Sequence, residues 1–216
     1  MANTNIAQPM PPHLAAYEPY DEQAQDEPLF EQLHIVSISD WPDLDSSRWR
    51  FDTCKLEQCL ITNQDVTNIT IWDSILVRCD ISACRLFDAG LLRSELLGCR
   101  AVGLQLGEST IKDVSFKNCK LSMASFRKCT LMRVTFENCI LDDTDFNNAT
   151  LSDVSFIKCE LNRTDFSGIK AAKVDMTNSD IRQIRGVRSL KNVRVSAEQV
   201  LDLAPLLAAE VGLVVL

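Results

Sequence analysis

Residues 111–170 read, in blocks of five, IKDVS FKNCK LSMAS FRKCT LMRVT FENCI LDDTD FNNAT LSDVS FIKCE LNRTD FSGIK. Each block begins with an apolar residue, its fourth residue is small or β-branched, and the other three are mainly polar. The apolar position recurs every five residues from Phe51 to Ile181. Because a period of five fits neither an α-helix nor a flat strand, it predicts a chain that turns regularly, with two inward residues per block.

The cysteines add a longer period. Six of the nine recur every twenty residues: Cys59, Cys79, Cys99, Cys119, Cys139 and Cys159. Twenty residues are four blocks, so each coil has four sides, and stacked coils align like residues in columns about 4.8 Å apart. The sequence therefore predicts an all-β solenoid, a quadrilateral β-helix with a column of cysteines along one inner edge.

The nine cysteines are predicted to be free, buried thiols that pack as small hydrophobes. Thiols along one line cannot surround a tetrahedral metal ion, and parallel side chains in register are too far apart for disulfides. Free thiols imply a reducing compartment, and no segment resembles a signal peptide or a membrane span. We expect a cytoplasmic protein without a cofactor and without a membrane partner.

The blocks Val114–Asn118, Thr144–Asn148 and Thr164–Gly168 resemble those of the pentapeptide-repeat proteins. The resemblance covers residues 51–185, is sharpest over 109–181, and implies a right-handed quadrilateral β-helix. It also implies a non-enzymatic protein that acts through protein–protein contact. Gyrase-directed members of the family inhibit or protect DNA gyrase as DNA mimics, which makes a topoisomerase the specific candidate partner. The alternative is a structural scaffold or adaptor that binds another protein.

Within the repeats, Phe and Leu alternate at the first block position from Phe116 to Phe166. With four blocks per coil, Phe columns are expected on two opposite sides and Leu columns on the other two. Large and small residues must alternate in a close-packed interior, and small residues do precede the large ones. We expect this region to be the most regular part of the chain.

Residues 1–50 differ in composition from the repeats. Residues 1–32 hold five of the seven prolines and carry no Lys or Arg before residue 33, so they are predicted to be a disordered acidic tail. Residues 33–50 are predicted to be an N-terminal cap, with a strand over 33–38 and with Trp41 and Trp49 covering the first coil. The β-helix is expected over 51–185, followed by a helix and tail over 186–216.

The C-terminal segment is predicted to begin a helix at Ser196, because Gln199 completes a capping box. Pro205 is expected to kink or divide the helix, which covers Ala197–Glu210. A similar ending mediates dimerisation in gyrase-directed pentapeptide-repeat proteins, so we expect a homodimer; the alternative is a simple cap on the last coil. The candidate dimerisation residues are Val200, Leu201, Leu203, Leu206, Leu207, Leu213, Val214 and Val215.

Charge argues against contact with nucleic acid. The chain carries −8, but residues 46–216 hold 21 acids and 22 bases, so the coil itself has a net charge of +1. A neutral coil weakens the expectation of DNA mimicry, although a negative stripe beside a positive one stays possible at this charge. Direct DNA binding lacks a basic excess.

Several outward block positions are apolar. They are Trp72, Val77, Phe87, Leu92, Leu97 and Val102, which we take as partner-binding candidates. Twenty-residue stacking places Trp72 beside Leu92 and Val77 beside Leu97, on adjacent sides. The alternative is a local distortion that buries them, since four glycines lie between residues 90 and 107.

A catalytic constellation is not visible in the sequence. The two histidines, His13 and His34, lie outside the repeats, and no Gly-rich phosphate loop has a strand–helix context. We therefore predict neither an enzyme nor a small-molecule substrate.

Overall fold

The computed structural model describes residues 6–19, 29–39 and 49–213. They form a parallel β-solenoid of about eight coils, and the predicted four-sided β-helix is confirmed. The strands are β1 Glu18–Pro19, β2 Leu29–Glu31, β3 Leu33–Val36, β4 Arg50–Asp52, β5 Lys55–Glu57, β6 Thr70–Trp72, β7 Ile75–Val77, β8 Gly90–Leu97, β9 Thr110–Lys117, β10 Thr130–Glu137, β11 Thr150–Glu160, β12 Lys170–Asp180 and β13 Val193–Arg194. A 3-10 helix covers Val187–Ser189, and helix α1 covers Ala197–Glu210.

The coils stack with a twenty-residue register. Leu131 pairs with Leu151, and Phe136 pairs with Phe156. We number the sides in chain order from β4: side 1 is centred on Phe51 and its stacked equivalents, side 2 on Leu56, side 3 on Ile61 and side 4 on Val66. Sides 1 and 2 form the paired strands, whereas isolated bridges such as Asp145 to Asp165 join the coils on sides 3 and 4.

The corners between sides explain the polar block positions. At nearly every fifth residue the backbone adopts a left-handed conformation, with φ of 56° at Asp113 and 55° at Asn118. Asn and Asp tolerate this conformation better than most residues, and their side chains can bond the local backbone. Corner amides then bond the next coil, as Asn118 N does to Glu137 O at 2.9 Å. The five-residue period of the sequence therefore arises from a corner of the backbone at every fifth residue.

The core consists of stacked columns. On side 2 the Phe136 ring stacks between Phe116, at a centroid distance of 4.9 Å, and Phe156, at 5.1 Å. On side 4, Phe126, Phe146 and Phe166 stack in the same way, and rings of opposite sides meet edge to face. The predicted Phe columns on two opposite sides are confirmed, and all nine cysteines are free and buried.

The solenoid begins before residue 51. Phe30 and Ile35 are fully buried, and they stack on Phe51 and Leu56 through parallel pairing of β2 with β4 and of β3 with β5. The predicted boundary at 51 is therefore corrected, and the strand predicted over 33–38 is β3, part of the first coil. The spacing from Phe30 to Phe51 is 21 residues, which places these positions outside the five-residue count. Trp49 is buried at this end, and Trp41 lies outside the described residues.

Residues 6–19, which we call the N-terminal arm, are ordered against the coil. The expectation of a disordered tail is wrong for them. The arm runs opposite to the stacking direction, with Ala7 at the level of Asp153, Met10 at Asp113 and His13 at Asp73. It ends in β1, which pairs with β3.

Helix α1 closes the other end of the solenoid. The predicted capping box is present, since the Ser196 hydroxyl accepts the Gln199 N–H and the Gln199 side chain accepts the Ser196 N–H. The Gln199 amide also donates to Met176 O at 2.8 Å and to Ser179 O at 2.7 Å, which satisfies carbonyls of the last coil. Pro205 lies inside one continuous helix, so the predicted division does not occur.

Candidate functional site

Four of the six apolar candidates form two adjacent columns on sides 1 and 2. Trp72 pairs with Leu92, and Val77 pairs with Leu97, so the predicted stacking is confirmed. All four side chains are half-buried. Each pair lies between a carboxylate and a lysine: the columns read Asp52, Trp72, Leu92, Lys112 and Glu57, Val77, Leu97, Lys117. We call Trp72, Val77, Leu92 and Leu97 the apolar patch.

Phe87 and Val102 do not belong to this patch. Phe87 lies on side 4, is 44% exposed, and packs over Gly107, where an added Cβ would lie 2.8 Å from the Phe87 ring. Val102 lies on side 3, and its N–H donates to the Ser82 hydroxyl. The six candidates therefore spread over all four sides. Gly107 accommodates a neighbouring ring, while the expected distortion does not bury the patch completely.

Charged residues form ladders along the corners and sides. Many ion pairs join an acid to a base one coil further along, twenty residues later. Examples are Asp65–Arg85, Asp73–Arg93, Asp80–Arg100, Glu108–Lys128, Asp113–Arg133, Asp143–Arg163 and Asp153–Lys173. Pairs of this kind neutralise the surface locally as well as in total.

One corner carries an alternating series, which we call the charged ladder. It lies between sides 1 and 2 and consists of Asp73, Arg93, Asp113, Arg133, Asp153 and Lys173. The Arg133 guanidinium bonds both oxygens of Asp113, at 2.6 and 2.7 Å, and Asp113 is fully buried. Arg93 Nε donates to Asp73 at 2.7 Å. The N-terminal arm lies on this corner.

The arm contacts the three ladder carboxylates through its backbone. His13 N donates to Asp73 at 2.9 Å, Met10 N donates to Asp113 at 3.2 Å, and Ala7 N donates to Asp153 at 3.2 Å. Beneath the arm, the column Ser115, Thr135 and Ser155 on side 2 is buried. A cleft of about 190 Å³ between Gln8–Pro11 and side 2 reaches Lys117, Glu137 and Ile157, in the same column as Val77 and Leu97.

Two of the ladder carboxylates, Asp73 and Asp113, are held in the ionised form. Burial raises the pKa of Asp113, but the Arg133 guanidinium and the Met10 N–H outweigh it, so this pKa lies below its ordinary value. Asp73 behaves in the same way, with Arg93 and the His13 N–H lowering its pKa against burial. Both carboxylates therefore remain acceptors for the arm near neutral pH.

The inner small residues are hydrogen-bond donors. Cys139 Sγ donates to Phe116 O at 3.3 Å, and Cys129 Sγ donates to Leu106 O at 2.8 Å. Ser and Thr fill the same role elsewhere, as Thr164 does towards Leu141 O at 2.7 Å. Burial raises the pKa of the Cys129 thiol to about 12. The Cys129 thiol therefore stays protonated, and the buried thiols act as donors to carbonyls of the interior.

Helix α1 divides the dimerisation candidates into two groups. Leu203 is buried against the core and Leu206 packs partly against it, so the expectation that both lie in a dimer surface is corrected. Val200, Leu201, Leu207 and Leu213 are exposed, and so is Val211, which the sequence did not single out. Val214 and Val215 lie outside the described residues.

Metal sites and membrane spans can be assessed over residues 6–19, 29–39 and 49–213. In this part of the chain, His, Cys, Asp and Glu residues do not gather in threes in a way that could hold a metal ion. Within the same residues, helices fall short of the length and apolar character that a membrane span requires.

The coil geometry and its five-residue corners define a β-solenoid built of pentapeptide repeats. Residues 109–185 match the family model described as a pentapeptide repeat region, so the resemblance seen in the sequence is confirmed there. No curated protein matches the chain.

Solved structures similar to this chain include those of two bacterial proteins. Full-length QnrB1, a plasmid-mediated fluoroquinolone resistance protein, is 18% identical over 96% of this chain and 100% of its own, with a TM-score of 0.46. HetL, a pentapeptide repeat protein involved in heterocyst differentiation regulation from the cyanobacterium Nostoc sp., is 13% identical over 77% of this chain and 86% of its own, with a TM-score of 0.37. The register of its own coils establishes the fold of the present chain.

Sequence reasoning missed the arm and its ladder. The alternation of acid and base at residues 73, 93, 113, 133, 153 and 173 is a readable signal at the coil period. The arm has no apolar period of two or 3.6, which is why its prolines suggested disorder. A period of three, with Ile6, Pro9 and Pro12 half-buried, is the signal that could have found it.

Proposed function

We propose that this protein acts in the cytoplasm by binding another protein along the side of its solenoid. The observation that carries the proposal is the apolar patch, because two neighbouring columns of the mainly polar outer surface carry paired apolar side chains there. Trp72 and Leu92 lie on side 1, and the Arg50 guanidinium covers the Trp72 ring at 4.8 Å. Patches with a charged rim are typical of protein interfaces.

The specific partner that we propose is a topoisomerase such as DNA gyrase, which the protein would inhibit or protect. The pentapeptide-repeat region supports this proposal through the family resemblance. Mimicry of DNA is the weaker form of it, because ion pairs between neighbouring coils neutralise many of the surface carboxylates. Contact through the apolar patch needs no acidic stripe.

The alternative proposal is a scaffold or adaptor module that binds a different protein through the same patch. A stack of nearest-neighbour coils is a rigid rod, and such rods offer extended binding surfaces. Both proposals use the side of the coil and neither uses a catalytic group.

A supercoiling assay with purified DNA gyrase distinguishes the topoisomerase proposal from the scaffold proposal. With micromolar protein, with and without quinolone, we expect a dose-dependent change in supercoiling or in quinolone-induced cleavage. The double variant Trp72→Ser, Leu92→Ser should lose the effect, whereas the control Phe87→Ser, on side 4, should keep it. No effect of the natural protein would remove the topoisomerase proposal and favour the scaffold.

The exposed residues of helix α1 support a second proposal, a homodimer through the C-terminal segment. Leu201 of α1 is 75% exposed, and Leu213, just after the end of the helix, is 65% exposed. With Val200, Leu207 and Val211 they form a group of exposed apolar side chains, and such groups are typical of interaction surfaces. The alternative of a simple end cap accounts for Gln199 and Leu203, which face the last coil, but leaves Leu201 and Leu213 uncovered.

A further inference from the structure

The N-terminal arm and the charged ladder make the same contact three times. In each case a backbone N–H of the arm donates to the Oδ1 atom of a ladder aspartate, and the same oxygen faces the base one coil further on. The three donors are the N–H groups of residues 7, 10 and 13, and the acceptors are Asp153, Asp113 and Asp73. Repetition at three successive places indicates a matched groove rather than an incidental contact.

The distance between successive donors of the arm matches the distance between successive acceptors of the charged ladder. The acceptors are forty residues apart, which is two coils, or about 9.6 Å at the strand spacing. The donors are three residues apart, which is one turn of polyproline II helix, or about 9.3 Å. An extended segment of this kind therefore presents one N–H to every second coil without accumulating mismatch over the length of the ladder.

The sequence of the arm obeys the rule that this contact imposes. Proline has no N–H, so it is excluded from donor positions and tolerated between them. Prolines occupy 9, 11 and 12, while the donors Ala7, Met10 and His13 are not proline. The half-buried residues Ile6, Pro9 and Pro12 follow the same period of three and face the coil.

We propose that the corner between sides 1 and 2 is a binding groove for an extended, proline-rich segment of a partner protein, and that the arm occupies it as a built-in competitor. The groove selects a polyproline II segment with an N–H at every third residue. Recognition rests on backbone donors and carboxylate acceptors, so it tolerates different side chains at the donor positions. This inference does not depend on a topoisomerase partner.

The contact is suited to exchange. Most arm side chains are exposed, the surface beneath is the polar column Ser115, Thr135 and Ser155, and a cleft of about 190 Å³ stays open at the side. Residues 6–16 of the arm are therefore held mainly by three charge-assisted hydrogen bonds, while β1 at the end of the arm pairs with β3 and tethers it to the coil. A tethered segment competes at high effective concentration. A free segment with the same pattern can bind in the groove when the hydrogen bonds of the arm are weakened.

The test uses the full chain with Ala7→Pro, Met10→Pro and His13→Pro, which removes the three donors and introduces residues that favour the polyproline II conformation. A fluorescein-labelled peptide of residues 6–19 is titrated against the variant and against the natural protein, and fluorescence anisotropy is measured. We expect saturable binding to the variant, and binding at least about tenfold weaker to the natural protein, since a tethered competitor occupies its groove. Chymotrypsin cleavage after Leu14 and Tyr17 should be faster in the variant.

The matched control is a labelled peptide that carries the same three prolines, which should not bind either protein. Equal binding of the two peptides would overturn the proposal, because binding in the groove would then not depend on the three N–H groups. It would also be overturned by an arm that is cleaved no faster in the variant, or by a released arm with no saturable binding of the natural peptide.

A change on the ladder side completes the test. Asp153→Asn, in the background of the three arm prolines, keeps the shape of the side chain and removes the charge. Since charge-assisted hydrogen bonds are about twice as strong as neutral ones, we expect peptide binding to weaken roughly threefold to tenfold. Asp143→Asn, on the opposite corner, is the control and should leave the affinity unchanged; the reverse pattern would contradict a ladder groove.

Discussion

The buried small residue of each repeat has two tasks, to fill space and to donate a hydrogen bond. A carbonyl on the preceding coil accepts from Cys129, from Thr164 and from Ser179, so Cys, Ser and Thr are interchangeable there for a physical reason. A buried carbonyl already bonded by the backbone gains a second partner in this way. The expectation that the thiols pack as small hydrophobes was therefore only half of the explanation.

Thiol reactivity follows from this environment. Burial raises the pKa of Cys129 to about 12 and that of Cys84 to about 11, whereas the hydrogen bond with Cys139 lowers the pKa of Cys159. The shared reason for low reactivity is that all nine thiols are buried. We expect Ellman's reagent to label none of the nine thiols of the folded protein within minutes, and all nine after denaturation. Rapid labelling of the folded protein would show that the coil opens locally.

The Phe columns make a second prediction at this scale. Phe136 is fully buried and stacked between two rings, so Phe136→Ala leaves a cavity and removes both stacking contacts. We expect a loss of about 3–5 kcal/mol in the free energy of unfolding, measured by urea denaturation. The control Phe87→Ala, at an exposed position, should cost less than about 1 kcal/mol. Similar costs for both would contradict the central role of the stacked column.

Among the elements, the arm is attached to the coil through carboxylates that accept its backbone N–H groups. Asp73 and Asp113 have pKa values below their ordinary range in the docked state, with Arg93, Arg133, Lys112 and the His13 ring around them. A lowered pKa in the docked state means that docking is favoured fully above the ordinary carboxyl pKa. That contribution is lost as the pH falls through the lowered value.

We therefore expect acid to release the arm before the coil unfolds. The measurement is the difference in melting temperature between the natural chain and the variant Ala7→Pro, Met10→Pro, His13→Pro, from pH 7 down to pH 3. The difference should be constant near neutral pH and should shrink below about pH 4, where the carboxylates take up protons. A difference that grows towards low pH would contradict the ladder as the site of attachment.

At the scale of the whole molecule, the coil is predictable from sequence because every coil repeats the same local constraint. A corner every five residues and a column every twenty are enough to place Trp72 beside Leu92. The first coil was not predicted because Phe30 lies 21 residues before Phe51. The one extra residue takes Phe30 out of the five-residue period. The arm was not predicted because it forms no core of its own. Its hydrogen-bond partners are coil aspartates more than fifty residues away in the sequence.

The exposed apolar stripe of helix α1 is the basis for the homodimer that we propose. Val200, Leu207 and Val211, with Ala204 between them, follow the spacing i, i+4, i+7 and i+11 of one helix face, while Gln199 and Leu203 face the coil. We propose that the same stripe of a second copy covers this exposed flank of the helix, as in a two-fold dimer. We expect twice the chain mass of 24.2 kDa by light scattering after size-exclusion chromatography.

The double variant Val200→Glu, Leu207→Glu should be monomeric, because two carboxylates on the stripe would be buried without partners at the interface. Point variants are preferable to truncation after Ser189, since truncation would also remove Gln199 and uncover the carbonyls of Met176 and Ser179. Ala209→Glu, exposed on the other flank of the helix, is the matched control and should remain dimeric. A natural chain that elutes with the mass of one copy would show that α1 is an end cap alone.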